Sequence, residues 1–379
     1  MAEKIVLVTA GGHIASFHAA MVRMHETLEK KAKNKFELFG AWGGLSGLIN
    51  GNIVPIRYSH LEEDKAGSLI GSDRAIAETE KISKAVKDNK IYAVIMMGGD
   101  NHLGEADKCH DIGLPFVGYP KTMDGDLSSF ITLGWETAVS QGSRFTRYHH
   151  NSAITTRRVF YVGLFGRNTD WVVTGVSAYG GADVTIPCEK KYSFDYVWDK
   201  ICLAVEKNKE KYQVPFAVVP YSEGALLDEF NEVPVQYKSV DKHNEVKLIP
   251  EIIGLELVRL TKAKGMSSSF ESHTYSLRDV PPTKTDKRLS KMAGEECIDM
   301  VIDGDFGKCA VFEPEGKFFK TSRLPLGDVA VQRRVKDTNF FDYDLLRANE
   351  SFIDIYKNLF KDSLGSPPNK NELVYKNLL

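Results

Sequence analysis

No stretch of the chain approaches the roughly 18 consecutive apolar residues of a membrane-spanning helix. Its opening, MAEKIVLVTAGG, lacks the apolar core and small-residue cleavage site of a secretory leader, so a cytoplasmic protein is expected. Cysteine is sparse. The five in 379 residues (Cys109, Cys188, Cys202, Cys297 and Cys309) include no Cys-x-x-Cys pair and read as reduced thiols. An excess of charge of one sign is missing as well. The 49 Lys and Arg face 51 Asp and Glu, for a formal net charge of −2. That balance removes the general electrostatic case for a nucleic acid or an anionic membrane as partner. Internal repeats and low-complexity blocks are absent.

What is present is an ordinary globular mixture, 42% hydrophobic and 26% charged, in a chain long enough for two domains. Residues 3–10 form a short apolar run rich in β-branched residues and end in Gly11-Gly12. Helical spacing follows over about 16–33, and an amphipathic helix is predicted over about 72–89. Residues 91–97 read as a buried strand stopped by Gly98-Gly99-Asp100, and 115–119 as another ending at Pro120-Lys121-Thr122. Strands apolar on both faces and alternating with helices predict a mostly parallel sheet covered by helices. Ligands in such sheets bind at the carboxyl ends of the strands, so these three ends are expected to converge. Strand-then-polar-turn segments at 159–165, 184–187 and 216–220 suggest a second α/β unit. Residues 228–250 read as a polar loop or hairpin insertion. A last helix is expected near 351–360.

Two motifs carry chemistry. In Gly98-Gly99-Asp100-Asn101, glycines let the backbone approach a phosphate and the carboxylate can hold a magnesium ion. The same letters also describe a tight strand-to-helix turn capped by Asp100. Pro120-Lys121-Thr122-Met123-Asp124-Gly125-Asp126 is more specific. It offers one carboxylate as proton acceptor, a second to place a metal, and a lysine for phosphate oxygens. His149-His150 is tempting as a metal site, but adjacent histidines point in different directions and no carboxylate stands nearby in sequence, which favours a surface or interface role.

GGDN, PKTMDGD, the Leu133–Ala138 segment LGWETA and Phe165-Gly166-Arg167 together resemble phosphofructokinases in order and spacing, over about residues 4–310. The resemblance implies two Rossmann-like three-layer α/β/α domains with the active site in the cleft between them. It assigns 1–145 plus about 279–330 to the phosphoryl donor and 146–278 plus about 331–379 to the acceptor. It implies catalytic Asp124, the base, with Lys121 and Arg167. Donor contacts would come from Gly11, Gly12, Arg74 and Asn101, and Asp100 would hold Mg2+. Acceptor-side contacts would come from Thr122, Asp126, Arg158, Phe165, Gly166, Glu223, Tyr275 and Arg278. Plainer roles stay open: an interface ion pair for Arg158, a helix cap for Glu223, an ordinary loop for Tyr275 and Arg278. The family also implies a homodimer or homotetramer, in which the position of Arg158 reaches a neighbouring subunit's site.

Within the family, glycine after the GGD aspartate and in place of Lys121 makes room for a nucleotide, whereas lysine and a larger side chain accompany pyrophosphate. Lys121, near-isosteric Asn101, the TAGG at 9–12 and Tyr275 therefore imply pyrophosphate as donor and a sugar phosphate, fructose 6-phosphate, as acceptor. An ATP-dependent kinase, a kinase of another sugar or polyol, and a ligand-sensing homologue are the alternatives. The departures from the family pattern are His13 to His18 after the glycines, Gly125 for the usual Asn, Ser269 for an arginine, and Asp279-Val280 for two glycines. They fall mainly on the acceptor side, where losing a bidentate arginine weakens phosphate recognition.

Overall fold

The computed structural model describes residues 2–240 and 246–374. The chain divides into two compact units, Met1–Thr137 with Arg278–Arg333, and Ala138–Leu277 with Arg334–Leu379.

The first unit opens with β1 (Glu3–Thr9), α1 (Phe17–Lys31) and β2 (Phe36–Ala41). The short helix α2 (Leu45–Ile49), β3 (Ile53–Pro55), α3 (Thr79–Asp88) and β4 (Ile91–Gly98) follow. Next come α4 (Asp100–Asp111), β5 (Phe116–Thr122) and β6 (Leu133–Gly134). β1, β4 and β5 are parallel neighbours, in register Thr9 with Met97 and Gly98 with Pro120. Their carboxyl ends therefore lie side by side. Ile5 to Val8 and Ala93 to Met97 have no exposed surface, as runs apolar on both faces require.

Two local expectations needed correction. The helix predicted from residue 72 begins only at Thr79. Gly71 has φ +73°, and the chain then runs against the sheet, with Asp73 bridging Ala10. The third strand also runs on through Pro120-Lys121-Thr122, because Lys121 and Thr122 pair with Leu133 and Gly134 of β6.

Helix α5 (Trp135–Thr156) carries the chain into the second unit. There follow β7 (Val159–Leu164), α6 (Trp171–Tyr179), α7 (Phe194–Tyr212), β8 (Ala217–Ser222), the β9–β10 hairpin (Lys238–Val240, Val246–Leu248), α8 (Pro250–Ala263) and β11 (Ser268–Ser272). The sheet is a parallel three-stranded one, in order β11-β7-β8. Residues 184–187 are no strand. They make one bridge, Ile186 to Tyr221, because the Asp183 carboxylate takes the Val218 N–H (2.9 Å) at that edge. The 228–250 insertion comprises two 3-10 turns and the hairpin, whose tip, 241–245, lies outside the described residues.

The chain returns to the first unit with α9 (Lys284–Asp303), β12 (Lys308–Glu315), β13 (Phe318–Pro325) and α10 (Leu326–Val329). The sheet order is β13-β12-β5-β4-β1-β2-β3, with antiparallel pairs at both edges. α9 packs on α1, and Gly294 permits it, since a Cβ there would lie 2.7 Å from the Ala20 carbonyl oxygen. Helix α11 (Glu350–Leu364) and the short α12 (Lys370–Leu373) after it belong to the second unit.

One buried carboxylate and one half-buried carboxylate bind that last segment in place. Asp170 accepts from the Cys188 N–H (2.6 Å), the Glu189 N–H (3.1 Å) and the Tyr343 hydroxyl (2.8 Å). Glu189 accepts from the N–H groups of Asp170 (2.8 Å), Val335 (3.0 Å) and Lys336 (2.8 Å). Burial, then the charge of Asp170, pushes the Glu189 carboxyl up from 4.5 to about 7. The folded state thus keeps a proton that the unfolded chain releases. The contribution to stability is full below about pH 4.5 and is lost as pH rises through about 7. Relative to Glu189→Gln, the wild-type protein should lose about 1–3 kcal/mol between those limits. Melting temperatures of both proteins across this range check it, and a gap that does not change with pH would refute the retained proton on Glu189.

Candidate active site

The turn after β1 is built for close approach. Ala10 donates its N–H to Met97 O (3.0 Å) and Gly11 donates to Asp73 O (2.6 Å). Gly11 has φ +79°, the left-handed region that favours glycine, and a Cβ there would stand 3.1 Å from Lys121 Nζ. A Cβ on Gly12 would stand 2.5 Å from Arg278 Nη1. Asp73 has a structural duty, taking the N–H groups of Leu45 and Ser46 (both 2.9 Å) at the start of α2. Its neighbour Arg74 is exposed. Gly11, Gly12, Ser72, Arg74 and Arg278 line a pocket of about 380 Å³. Two guanidinium groups beside a bare glycine backbone suit a phosphate-bearing anion. His13 Nε2, at the rim, pairs with Asp279. Arg278, expected with the acceptor, here lines the same pocket as the donor glycines.

Lys121 lies beneath this turn. Its side chain is buried, and Nζ donates to Ala10 O and Gly12 O (both 2.7 Å). Burial, opposed chiefly by the Asp124 charge and reinforced by Arg278 and Arg74, pulls its pKa down to about 8. Within the β5 loop, the Thr122 hydroxyl accepts from the Asp124 N–H (3.1 Å) and donates to Asp126 Oδ1 (3.2 Å). Gln332 donates to Asp126 Oδ2 (2.7 Å), and the Arg333 N–H donates to Asp126 O (2.6 Å). Burial raises the Asp126 carboxyl, Gln332 counters, and the charge of Asp100 raises it further. Asp126 is thereby anchored on both oxygens, while Asp124 is only half-buried. Asp100 opens α4, where the helix dipole favours a carboxylate, and Asn101 beside it is exposed.

One residue of this region was not anticipated. His102 is buried, with Nε2 3.2 Å from Ala75 O. Burial and the Lys121 charge lower its pKa, so the imidazole is neutral. It packs so closely on Gly98 that a Cβ there would clash at 2.6 Å. The only sequence signal was its place just after GGDN.

In the second unit, β7 and β8 are parallel, with Leu164 opposite Ser222. Arg167 and Glu223 follow those two strand ends. Gly166 has φ +133°, and its carbonyl accepts from the Ser222 hydroxyl. A Cβ on Gly224 would fall 1.9 Å from Arg167 O, so glycine is obligatory there. The Glu223 N–H donates to Leu164 O (2.8 Å), and no helix starts before Asp228, so Glu223 is not a helix cap. Phe165 meets the ring of Tyr275 edge-on at 5.4 Å. Arg158 Nη1 donates to Ser269 Oγ (2.6 Å).

The two adjacent histidines do diverge. His150 is buried, bonds Gly181 O (2.9 Å), and is pulled down to about 3 by burial. His149, however, has the carboxylate that its sequence neighbourhood lacks: Glu271 Oε2 lies 3.5 Å from its Nε2. His149 Nε2 is also 2.7 Å from His273 Nε2. The fold brings these groups together from α5 and from the end of β11.

The family model described as Phosphofructokinase matches residues 4–301. The chain is 30% identical over 281 residues to a pyrophosphate–fructose 6-phosphate 1-phosphotransferase of Amycolatopsis methanolica, covering 72% of this chain and 80% of that one. It is 23% identical over 343 residues to an ATP-dependent 6-phosphofructokinase of Bacteroides thetaiotaomicron, covering 86% and 93%. The crystal structure of a pyrophosphate-dependent phosphofructokinase from Nitrosospira multiformis superposes with a TM-score of 0.80 at 17% identity, over 100% of this chain and 95% of that one. With the family model spanning most of its length, this chain belongs to the phosphofructokinase family of phosphotransferases.

Proposed function

We propose that the protein transfers a phosphoryl group from pyrophosphate to a sugar phosphate, fructose 6-phosphate by the names of its relatives. The observation that carries the donor choice is the buried Lys121 ammonium, pinned between the Ala10 and Gly12 carbonyls. Its side chain fills volume directly behind the glycine turn. An ATP-dependent reading also has named relatives, and it predicts a lysine that can be removed to advantage.

In the mechanism, the half-buried Asp124 accepts the proton of the attacking sugar hydroxyl. Thr122 and Asp126 hold its loop, so the base needs little reorganisation. The Gly11 and Gly12 backbone, Arg74 and Arg278 receive the donor's phosphates, while Asn101 and Lys121 limit its size. Asp100 would supply a hard oxygen ligand of the kind Mg2+ prefers, and the repulsion between it and the loop-holding Asp126 is what a dication relieves. Mg2+ bound there would neutralise charge on the phosphoryl oxygens. Arg167, Glu223, Arg158, Tyr275 and the Phe165-Gly166 turn receive the acceptor, and Arg167 also offsets transition-state charge. Among the described residues no helix is long and apolar enough to cross a membrane.

A phosphate-release assay with pyrophosphate, Mg2+ and a panel of sugars and sugar phosphates tests the activity. Pyrophosphate should support turnover and ATP should not, and a wild-type preference for ATP would refute the donor assignment. Asp124→Ser should lower kcat by about 10²–10⁴ with little change in KM for pyrophosphate, and near-normal turnover would remove Asp124 from the base role.

Lys121 gives a test by pH. Its ammonium is charged below about pH 8 and neutral above, so kcat/KM for pyrophosphate should fall as pH rises through that value. Lys121→Met should flatten this limb. Asn101→Gly combined with Lys121→Gly should raise ATP use and depress pyrophosphate use, by more than the two single changes together. The converse result, improved pyrophosphate use in the double variant, would end the steric argument.

A further inference from the structure

Independently of that reading, the second unit carries a group of side chains for which phosphoryl transfer has no use. Alternate residues of a strand share a face, so Ser269, Glu271 and His273 line up at the edge strand β11 and just beyond it. His149, from α5, meets them. The Nε2 atoms of His149 and His273 are 2.7 Å apart. Glu271 oxygens stand 3.5 Å from the first and 3.9 Å from the second. All three ligand atoms fall within 4.8 Å of one another.

The rings are oriented in advance. His273 stacks on Phe145 with centroids 4.0 Å apart and planes 4° apart, and His149 stacks on Phe160 at 4.2 Å and 14°. Both imidazoles are buried, while the Glu271 side chain is 56% exposed and leaves a path from solvent. Two neutral imidazoles and a carboxylate carry one negative charge between them.

We propose that His149, Glu271 and His273 form a binding site for a borderline divalent transition metal, Zn2+ by ligand type, with a fourth position left for water. Two nitrogens and one carboxylate match zinc, whereas Mg2+ and Ca2+ demand oxygen ligands throughout. The site is therefore chemically distinct from the carboxylates at Asp100 and Asp126. Zn–N bonds of about 2.0–2.1 Å in a tetrahedron separate the nitrogens by about 3.3 Å, so entry of the ion widens the present contact by about 0.6 Å. The present contact is an N–H···N hydrogen bond. The donating ring moves its proton from Nε2 to Nδ1 when the metal arrives, and no proton need leave the protein.

The test is calorimetric titration of chelator-treated, full-length protein with zinc chloride in a buffer free of phosphate and pyrophosphate. Cobalt(II) serves as a spectroscopic substitute. Wild-type protein should bind one equivalent per chain, and cobalt should give the visible absorption of a four-coordinate site. Glu271→Gln, a change at an exposed position, should weaken binding by about tenfold or more. His273→Phe keeps a ring to stack on Phe145 and should abolish binding. Circular dichroism shows whether that variant is folded, and Glu271→Gln decides the matter if it is not. Absence of zinc uptake by the wild type, or equal uptake by the wild type and Glu271→Gln, would overturn the proposal and leave a hydrogen-bonded histidine pair.

Discussion

A charged ammonium inside a protein has to be compensated, and the first unit is arranged around one. Desolvating an unpaired lysine costs several kcal/mol, yet Lys121 is 4% exposed. Two carbonyl oxygens of the glycine turn and the charges of Asp124 and Asp126 offset that cost, incompletely, which is why its pKa falls to about 8. The compensation runs both ways. With its carbonyls held by Lys121 and the Ala10 and Gly11 N–H groups spent on Met97 O and Asp73 O, the turn leaves the pocket to the guanidiniums of Arg74 and Arg278. One buried side chain thus shapes an anion-receptive surface above itself.

The carboxylates are sorted by their hydrogen bonds. Asp126 is buried and bonded on both oxygens, so its part is to hold the loop and shape the local field. Asp124 shares that loop but is more open, which is what a proton acceptor needs. Asp73 looks much the same in the sequence, yet it is spent on capping α2. The residue type alone would not have separated these three.

The second unit relies more on backbone fit. Ser222 to Gly166, and Gly224 against Arg167 O, lock the ends of β7 and β8 together, so that Arg167 and Glu223 follow strand ends with little freedom. Ser269, one of the departures from the family pattern, lies in this unit. Ser269 takes a hydrogen bond from Arg158, where an arginine would instead have added a second cation.

By itself the sequence determined the layered α/β character, the three parallel strands that end in glycine or Lys-Thr, and the likeness of GGDN and PKTMDGD to phosphofructokinases. These are local signals: continuous apolar runs, glycines at turns, charged letters at short spacing. Tertiary structure decided what depends on distant partners. Nothing near residue 72 announced that Asp73 would bridge to Ala10 and delay α3 to Thr79. Nothing near 184 announced that the Asp183 carboxylate would take the Val218 N–H and that the segment would keep a single bridge to β8. The pocket position of Arg278, the burial of His102, the charge coupling of Asp170 and Glu189, and the meeting of His149 with Glu271 and His273 belong to the same class. Each joins groups far apart along the chain, and their proximity exists only once the sheets and helices have packed.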